Sequence, residues 1–445
     1  MDHPLGFKNI EENNLASPGV CLGVSLKIFM PGILKKEVNC GGVFMVKIAI
    51  SEGEYKRRIS NVLEELKKRK LDALYLTSGT SFLYLTGYSY ITTERPAALI
   101  IPVEGEIAFI GPALETDHVP LKTKLVKNIK TYPDYPGEKH PIEHFSIFLK
   151  ELGLDNKKIG IDNMAGAAGI WGYKGPRITE KFPSAKFVEA KDIVEDMRLI
   201  KSKEEVELII ESAKWGNLAH SLLQEYTEPG LWDVEISMRA SHEASVAMKR
   251  ALGPDYEPCK WGDSPAGAGF RGQVGAMSAI PHSIGTKRVI KVGDVIVSGA
   301  SADVGGYCSE LERTMIVGQP TETQKRYFEV MLKAQDAGLA TFRPGARCSD
   351  VDKTTVKVFQ KAGYGALIRH HSGHGLGLEG HEPPWLDVGD DTVMMPGMVF
   401  SCEPGIYKPG YAGFRHSDTV VITEDGAEII TYYPRDLESL TIRKR

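Results

Sequence analysis

The sequence predicts two domains, of which the first is an α/β domain. The chain has 445 residues, more than the roughly 250–300 that one hydrophobic core usually serves. From Tyr55 onward helical and strand patterns alternate, which predicts an α/β domain with a mixed sheet that ends near Glu195. Beyond that point two long helical patterns lead to a segment rich in Gly, His and Pro, 365–415. Such a composition is typical of loops and strand ends that carry side chains into a pocket.

An amphipathic helix opens the first domain, because apolar residues recur at helical spacing among charged residues between Tyr55 and Leu66. Short apolar runs bounded by turn residues predict strands after it. These strands are expected at 72–76, 97–101 and 107–110.

The second domain begins with two predicted helices. Ser202, followed by Glu204 and Glu205, is a typical helix start, and an apolar stripe continues from there. A second helix is expected at 232–251. The Gly- and Pro-rich stretch 253–272 is predicted to be a loop.

Bulk composition describes an ordinary globular protein and excludes several classes of partner. Apolar residues make up 42% and charged residues 25% of the chain, with a formal net charge of −4. That balance offers no electrostatic footprint for nucleic acid or for an anionic membrane. No uninterrupted run of about 20 apolar residues predicts a transmembrane helix. The six cysteines show neither CxxC spacing nor the density of a disulfide scaffold, so we expect a reducing, cytoplasmic location.

The first 44 residues differ from the rest. Their apolar stretch, 16–34, is interrupted by proline, glycine and lysine, and it lacks the pattern of a signal peptide. We expect either a disordered extension or a start assigned too early, with Met45 opening the first folding unit. Both alternatives stay open at this point.

Four segments of the second half carry motifs with chemical content. They are VGDVIVSGASADVGGYCSELERT from Val292, HHSGHGLGLEGHEPP from His370, FSCEPGIY from Phe400 and GFRHSDTVVIT from Gly413. The chain resembles, through these motifs, the pita-bread superfamily of methionine aminopeptidases, prolidases, aminopeptidases P and creatinases. The resemblance implies an α/β N-terminal domain of the creatinase type and an α+β catalytic domain with a curved antiparallel sheet. The expected division is 1–44 as the extension, 45–195 as the first domain and 196–445 as the second.

Five positions decide whether this chain can hold the two cations of its metal-dependent relatives. The resemblance implies a shell of two aspartates, one histidine and two glutamates. Here these positions carry Gly299, Glu310, His374, Glu403 and Ser417. Glycine supplies no ligand, and a serine hydroxyl poorly replaces a carboxylate that bridges two cations. We therefore expect no cofactor; the alternative is one divalent ion held by Glu310, His374 and Glu403 as an open three-ligand site.

Creatinases share this fold, lack most of the metal shell and hydrolyse a C–N bond with histidine and glutamate side chains. The resemblance to them places their catalytic histidine at His282, eleven residues before Gly293. It places their two glutamates at Glu312 and Glu403. It also places at Arg95, in the segment RPAAL, the arginine that a neighbouring subunit contributes.

Proton transfer is assigned to histidines. A histidine with a pKa near its ordinary value of about 6.5 can act as both base and acid, and we give this role to His282, with His374 or His381 as the second proton carrier. His381 begins a match to the H-E-x-P motif of prolidases, where creatinases carry a second carboxylate-binding arginine. This departure argues against creatine itself as the substrate.

Charged side chains are assigned to substrate binding. Glu312 and Glu403 would hold a cationic nitrogen, and Arg95 would hold a substrate carboxylate through two parallel hydrogen bonds. Glu310, His381 and Arg415 are further candidate contacts to the substrate, and Glu403 is also a candidate catalytic residue beside His282 and His374.

The predicted function is that of a creatinase-like, metal-independent hydrolase. It would cleave a C–N bond of an amidine, ureido compound or amide in a small carboxylated molecule, as a homodimer with Arg95 contributed across the interface. One alternative is a metal-dependent Xaa-Pro dipeptidase with an atypical ligand set. Another is a non-catalytic pita-bread binding module. The identity of the substrate stays open.

Overall fold

A computed structural model describes residues 46–167, 175–260, 262–283, 285 and 287–443. The predictions for residues 1–44 lie outside this range. No helix in the described part of the chain combines the length and the apolar character that a membrane span requires.

The first domain alternates helices and strands, as the sequence predicts. Its helices are α1 (Glu52–Arg69), α2 (Gly79–Thr86), α3 (His118–Lys122), α4 (Pro141–Glu151), α5 (Ile178–Lys181) and α6 (Asp192–Leu199). Its strands are β1 (Ala73–Leu76), β2 (Ala98–Pro102), β3 (Ala108–Pro112), β4 (Asn128–Tyr132), β5 (Lys158–Ile161) and β6 (Lys186–Glu189). They form one sheet in the order β4-β3-β2-β1-β5-β6, with antiparallel pairs at β1-β2 and β2-β3 and parallel pairs elsewhere.

Helix α1 shows why this part of the sequence folds as it does. The Ser51 side chain accepts a hydrogen bond from the Glu54 backbone, so the helix begins at Glu52 rather than at Tyr55. Its apolar stripe, with Val62 and Leu66 fully buried, packs into the core.

The second domain combines long helices with antiparallel strands. Its helices are α7 (Lys203–Tyr226), α8 (Asp233–Leu252), α9 (Glu322–Leu339) and α10 (Cys348–Lys361). Its first strands are β7 (Ala266–Gly269), β8 (Val295–Ala302), β9 (Leu311–Val317), β10 (His374–Gly375) and β11 (Glu382–Trp385). The remaining strands are β12 (Val399–Cys402), β13 (Gly405–Lys408), β14 (Ala412–Arg415), β15 (Asp418–Ile422), β16 (Ala427–Ile429) and β17 (Thr441–Ile442). Ser202 caps α7 in a reciprocal capping box with Glu205, as predicted.

Two sheets and a hairpin meet at the centre of this domain. Their orders are β17-β9-β8-β7 and β11-β10-β12-β15-β16, and β13-β14 is the hairpin. Glu312 and Ser417 exchange both backbone hydrogen bonds, each 3.0 Å long, and so join β9 to the start of β15. This junction brings residues from distant parts of the sequence to one face.

Strand β7 corrects the prediction of a loop over 253–272. Its sequence, Ala-Gly-Ala-Gly, has none of the β-branched or aromatic residues that mark a strand. A Cβ added at Gly269 would lie 3.3 Å from the Cβ of Ser237 in α8. The small residues therefore allow α8 to pack closely on the sheet, a tertiary requirement that local propensity does not report.

Candidate active site

The strands of the second domain bring five charged side chains together. Glu310 and Glu312 flank the start of β9, His374 opens β10, Glu403 follows β12 and Arg415 ends β14. Carboxylate oxygens of Glu310, Glu312 and Glu403 all lie within 4.8 Å of one another. Three carboxylates at such spacing repel each other unless cations neutralise them.

His374 supplies one of these cations. Its ring is fully buried, and its Nε2 atom lies 3.2 Å from Glu403 Oε1 and 3.7 Å from Glu310 Oε2. Burial alone would lower the pKa of His374, but its contact with Glu403 and the charge of Glu310 raise it to about 9. For the chain alone, His374 is therefore an imidazolium placed between two carboxylates.

The two carboxyl groups beside His374 differ in their ionisation. Burial and the neighbouring charge of Glu403 raise the pKa of Glu310 to about 7. Burial acts on Glu403 as well, but the contact with His374 and the charge of Arg415 outweigh it and lower its pKa to about 2. Glu403 therefore stays ionised, and Glu310 is the carboxyl group that more readily takes up a proton.

Arg415 is the second cation of the cluster. Its side chain is buried and donates from Nη2 to Glu312 Oε1 at 2.5 Å, with Nε also paired to the same carboxylate. Its Nη1 donates to the Tyr407 hydroxyl at 3.2 Å, which in turn contacts His370 Nε2 at 2.8 Å. Tyr407 is thus fully buried yet belongs to the polar network, a role that the sequence does not reveal.

Arg271 is a third cation, and the sequence analysis missed it. It lies just after β7, and its Nη2 atom donates to Glu312 Oε1 at 3.2 Å. A single arginine in a Gly-rich stretch carries no sequence signal for this contact, which spans 41 residues of chain. Glu312 consequently bonds to two arginines, so its assignment as a holder of cationic substrate nitrogen stays a prediction that must compete with them.

The structure shows what surrounds the two positions that lack a metal-binding side chain. Gly299 pairs with Glu312 across β8 and β9, and a Cβ added at Gly299 would lie 3.5 Å from Glu312 Oε1. Ser417 donates from Oγ to Glu310 Oε1 at 2.6 Å. Both positions face the carboxylate cluster, and neither presents an anionic ligand there.

The donor set that remains fits one metal ion. Ligand atoms of Glu310, His374 and His381 converge within 4.8 Å, as do those of Glu310, Glu312 and Glu403. His374 Nε2 is buried and makes no hydrogen bond of good geometry within the described residues, and it would coordinate an ion by giving up the proton that it carries in the chain alone. A second ion would need charge at 299 and 417, and Arg271 and Arg415 already neutralise Glu312.

His381 and His282 form the exposed side of the site. The His381 ring stacks on His374 with centroids 3.7 Å apart and an angle of 19°. Burial and the charge of His374 lower the pKa of His381, and His282 is close enough to lower it further. His282 itself is exposed, in the turn that follows the 3₁₀ turn Gly275–Ala279. Trp385, whose ring centroid lies 6.4 Å from that of His374, walls the same side.

Glu382 fixes the position of His381 from behind. It is buried, with Oε1 2.5 Å from Arg198 Nη2 and Oε2 3.3 Å from Lys201 Nζ. Burial alone would raise the pKa of Glu382, but the charges of Lys201 and Arg198 lower it. The start of the second domain is thereby tied to the loop that carries His381.

Arg95 lies in the first domain and is engaged within its own chain. Its Nε donates to Asp134 Oδ1 at 2.7 Å and its Nη1 donates to Glu94 Oε1 at 2.5 Å. Its proposed contact with substrate across a dimer interface stays a prediction.

Other residues near the motifs have structural roles. Arg313 is fully buried and its Nη2 lies 2.7 Å from Asp418 Oδ1, as expected for an ion pair within the sheet. Asp418 is thereby withdrawn from any metal shell. Burial raises the pKa of the Cys308 thiol to about 12, and it raises that of Cys402 as well, so neither is a thiolate nucleophile at neutral pH.

Two family models match the chain. The model of metallopeptidase family M24 covers residues 207–424, and that of the creatinase/prolidase N-terminal domain covers residues 58–200. An uncharacterized peptidase of Bacillus subtilis, YqhT, is 30% identical over 82% of this chain and 95% of its own length. The chain belongs to metallopeptidase family M24. It is also 29% identical to the Xaa-Pro dipeptidase of Pyrococcus furiosus, over 86% of this chain and 99% of that protein.

Solved structures agree with this assignment. The Xaa-Pro dipeptidase from Bacillus anthracis superposes with a TM-score of 0.71 at 26% identity, covering 86% of this chain and 99% of that one. The prolidase from Pyrococcus horikoshii gives a TM-score of 0.70 at 25% identity, over 86% and 99% of the two chains. The predicted superfamily, the two-domain fold and a hydrolase that acts on C–N bonds are confirmed.

The comparisons correct the emphasis of the functional prediction. A metallopeptidase family indicates use of a divalent metal, so the expectation of no cofactor is not supported. Relatives named Xaa-Pro dipeptidases favour the dipeptidase alternative over the metal-independent, creatinase-like reaction. The prediction weighed the two positions that lack a ligand, whereas the structure also shows His374 close to the carboxylates of Glu403 and Glu310.

Proposed function

We propose that the protein is a dipeptidase of the Xaa-Pro type that works with one divalent cation. The observation that carries the proposal is the convergence of His374 Nε2 on the carboxylates of Glu403 and Glu310, at 3.2 and 3.7 Å. The named relatives support a dipeptide as the class of substrate. A small carboxylated amide also matches the mixture of anionic and cationic side chains around the site.

Glu310, His374 and Glu403 would hold the ion. A bound divalent cation polarises a carbonyl oxygen and lowers the pKa of a coordinated water. These three residues would leave a face open to solvent on the side of the exposed His381 and His282, as a catalytic rather than a structural metal site requires.

The chain's own residues would perform binding and proton transfer. His282 and His381 lie on the exposed side, where an imidazole can give a proton to the leaving amine nitrogen. Arg415 holds Glu312 and lies 3.8 Å from Glu403 Oε2, and so orients the carboxylate that faces the reacting centre. Trp385, with its ring centroid 6.4 Å from that of His374, would border that centre.

The creatinase-like reaction without metal remains a second candidate. The observation that favours it is the replacement of two ligand positions by Gly299 and Ser417 beside an internally neutralised cluster. In that reaction His282 would serve as base and acid, with His374 or His381 as the second proton carrier. In that reaction Arg95 of the neighbouring subunit would hold the substrate carboxylate. A homodimer and a domain division at 195–196 are proposed with either reaction.

Turnover with and without chelator decides between the two. We expect the purified protein to cleave Ala-Pro, to lose at least 90% of this activity after EDTA treatment, and to regain it when a divalent metal salt is added back. Turnover of amidine or ureido acids that resists EDTA would support the creatinase-like reaction instead. No turnover of any of these compounds would refute the enzymatic proposal.

A further inference from the structure

We propose that Arg271 binds the carboxylate of the substrate and so sets the specificity of the site. The inference rests on the proposed cleavage of a small carboxylated amide. Neither the motifs nor the resemblance of this chain assign Arg271 a role. The alternative is that Arg271 only neutralises Glu312.

The guanidinium of Arg271 is only partly used. Its Nη2 atom donates to Glu312 Oε1 at 3.2 Å and lies 3.5 Å from Gln273 Oε1. No acceptor within the described residues bonds to its Nε or Nη1, and the side chain is 54% exposed. A guanidinium has five N–H donors in a fixed plane, and a carboxylate matches an unused edge through two parallel hydrogen bonds.

Glu312 does not need Arg271 for its own neutralisation. Arg415, which is buried, already pairs with both oxygens of the Glu312 carboxylate. A half-exposed ion pair such as Arg271 with Glu312 contributes little to stability. The charge of Arg271 is therefore available to a ligand that enters beside Glu312.

The backbone holds Arg271 in an unfavourable conformation. Its φ angle is +48°, and the next residue, Gly272, has a φ angle of +74°. The left-handed conformation is unfavourable for a residue other than glycine. The turn is closed by a 2.7 Å hydrogen bond from the Gln273 N–H to the Phe270 carbonyl. Strained residues of this kind are often found at functional sites, which agrees with a role for the Arg271 side chain.

The position of Arg271 suits the size of a dipeptide. Glu312, to which it bonds, has carboxylate oxygens within 4.8 Å of those of Glu403 and Glu310. Only the Glu312 side chain separates the guanidinium from the carboxylates of Glu310 and Glu403, where the amide would react. In an Xaa-Pro dipeptide only the proline residue separates the carboxylate from the cleaved amide.

Gly299 keeps Arg271 available. A Cβ at this position would lie 3.5 Å from Glu312 Oε1, the atom to which Arg271 and Arg415 donate. A carboxylate at 299 would add an internal anion that competes with the substrate for Arg271. The absence of a side chain at Gly299 therefore leaves Arg271 without a further internal anion to bind.

The test compares a free acid with its amide. We expect R271Q to lower kcat/KM for Ala-Pro by about 10- to 150-fold, the equivalent of one charge-assisted hydrogen bond or two. The loss should appear in KM more than in kcat, because ground-state and transition-state binding are affected alike. Cleavage of Ala-Pro amide should change less than twofold. R271K should recover only part of the loss, since an ammonium keeps the charge but not the planar fork.

R239Q is the matched control, because Arg239 is an arginine of α8 that stacks on Tyr226. It should leave both rates unchanged. An equal loss on both substrates in R271Q would mean that Arg271 only supports the site, and unchanged rates on both would also overturn the inference.

A binding measurement separates this inference from the proposed function. If the wild-type protein cleaves neither substrate, the proposed dipeptidase activity fails. Calorimetry with proline and prolinamide then decides on Arg271 alone. Binding of proline but not of prolinamide, lost in R271Q, supports the carboxylate site; equal binding of both, or binding unchanged in R271Q, overturns it.

Discussion

His282 is the residue on which the proposed proton transfer depends. It is exposed, so its removal costs no buried contact. We expect H282A to lower kcat by about 100-fold or more, the usual contribution of a general acid or base, with an unchanged thermal midpoint. Steady-state kinetics and thermal unfolding check both parts.

H242A is the control for this prediction, since His242 is an exposed histidine of α8. It should leave kcat and the thermal midpoint unchanged. A fully active H282A variant would contradict the proposed role of His282.

Two histidines of the second domain, His220 and His416, are fully buried. His416 is fully buried and neither ring nitrogen has a hydrogen-bond partner among the described residues. His220 is equally buried, and its Nε2 contacts Ser298 Oγ at 2.7 Å. Burial and the charge of Arg313 lower the pKa of His220 to about 3, and the same two causes lower that of His416.

These histidines predict the response of stability to acid. Their pKa values are lower in the folded state than in the unfolded state, where they are near 6.5. The folded protein therefore keeps its full stability above pH 6.5 as far as these histidines are concerned, and it loses stability as the pH falls from 6.5 toward their folded pKa values. H416L should raise the free energy of unfolding by about 1–3 kcal/mol at pH 7, because it removes an unpaired buried polar group. H416L should also make the free energy of unfolding depend less steeply on pH between pH 6 and 4, by about 1.4 kcal/mol per pH unit. Urea unfolding across this pH range is the measurement; an unchanged slope would contradict the account.

Among the secondary-structure elements, the ion pairs of Glu382 in β11 with Arg198 and Lys201, at the start of the second domain, should matter most for stability. Glu382 is buried between Arg198 and Lys201, and it is the neighbour of His381. We expect E382Q to lower the free energy of unfolding by about 3 kcal/mol, because it leaves the buried Lys201 and the largely buried Arg198 short of their anion. Folded E382Q should also show a lower kcat, since His381 loses its support.

Chemical denaturation and kinetics on the same preparation measure both effects. E424Q serves as the control, because Glu424 is an exposed residue in the turn between β15 and β16. Wild-type stability of E382Q would show that the two cations find other partners.

The elements differ in how far the sequence predicts them. Helix α7 follows from local chemistry alone, since Ser202 and Glu205 cap it reciprocally. Strand β7 does not, because its Ala-Gly repeat has low strand propensity and is explained by the close packing of α8. Local signals predict an element where the cause is local, and they fail where a neighbouring element imposes the conformation.

The site shows the same division. Glu310, His374 and Glu403 could be predicted because each lies in a motif, and the structure brings them within contact. Arg271 could not, because its function arises from a contact with Glu312 across 41 residues and from a backbone turn that one sequence does not reveal.

In the molecule as a whole, the number of cations that the site can hold depends on how the charges of its carboxylate cluster are already balanced. Three carboxylates face His374, Arg415 and Arg271. Both arginines pair with Glu312, and Arg415 Nε also lies 3.8 Å from Glu403 Oε2. Glu310 and Glu403, with His374 between them, would hold one divalent cation. A second cation would meet two arginines and no free carboxylate among these residues.

The most direct measurement is the amount of metal bound per chain, by mass spectrometry on active protein purified without chelator. The account predicts one divalent ion per chain, lost together with cleavage of Ala-Pro in an H374A variant. Two ions per chain, or full activity with no bound metal, would contradict it.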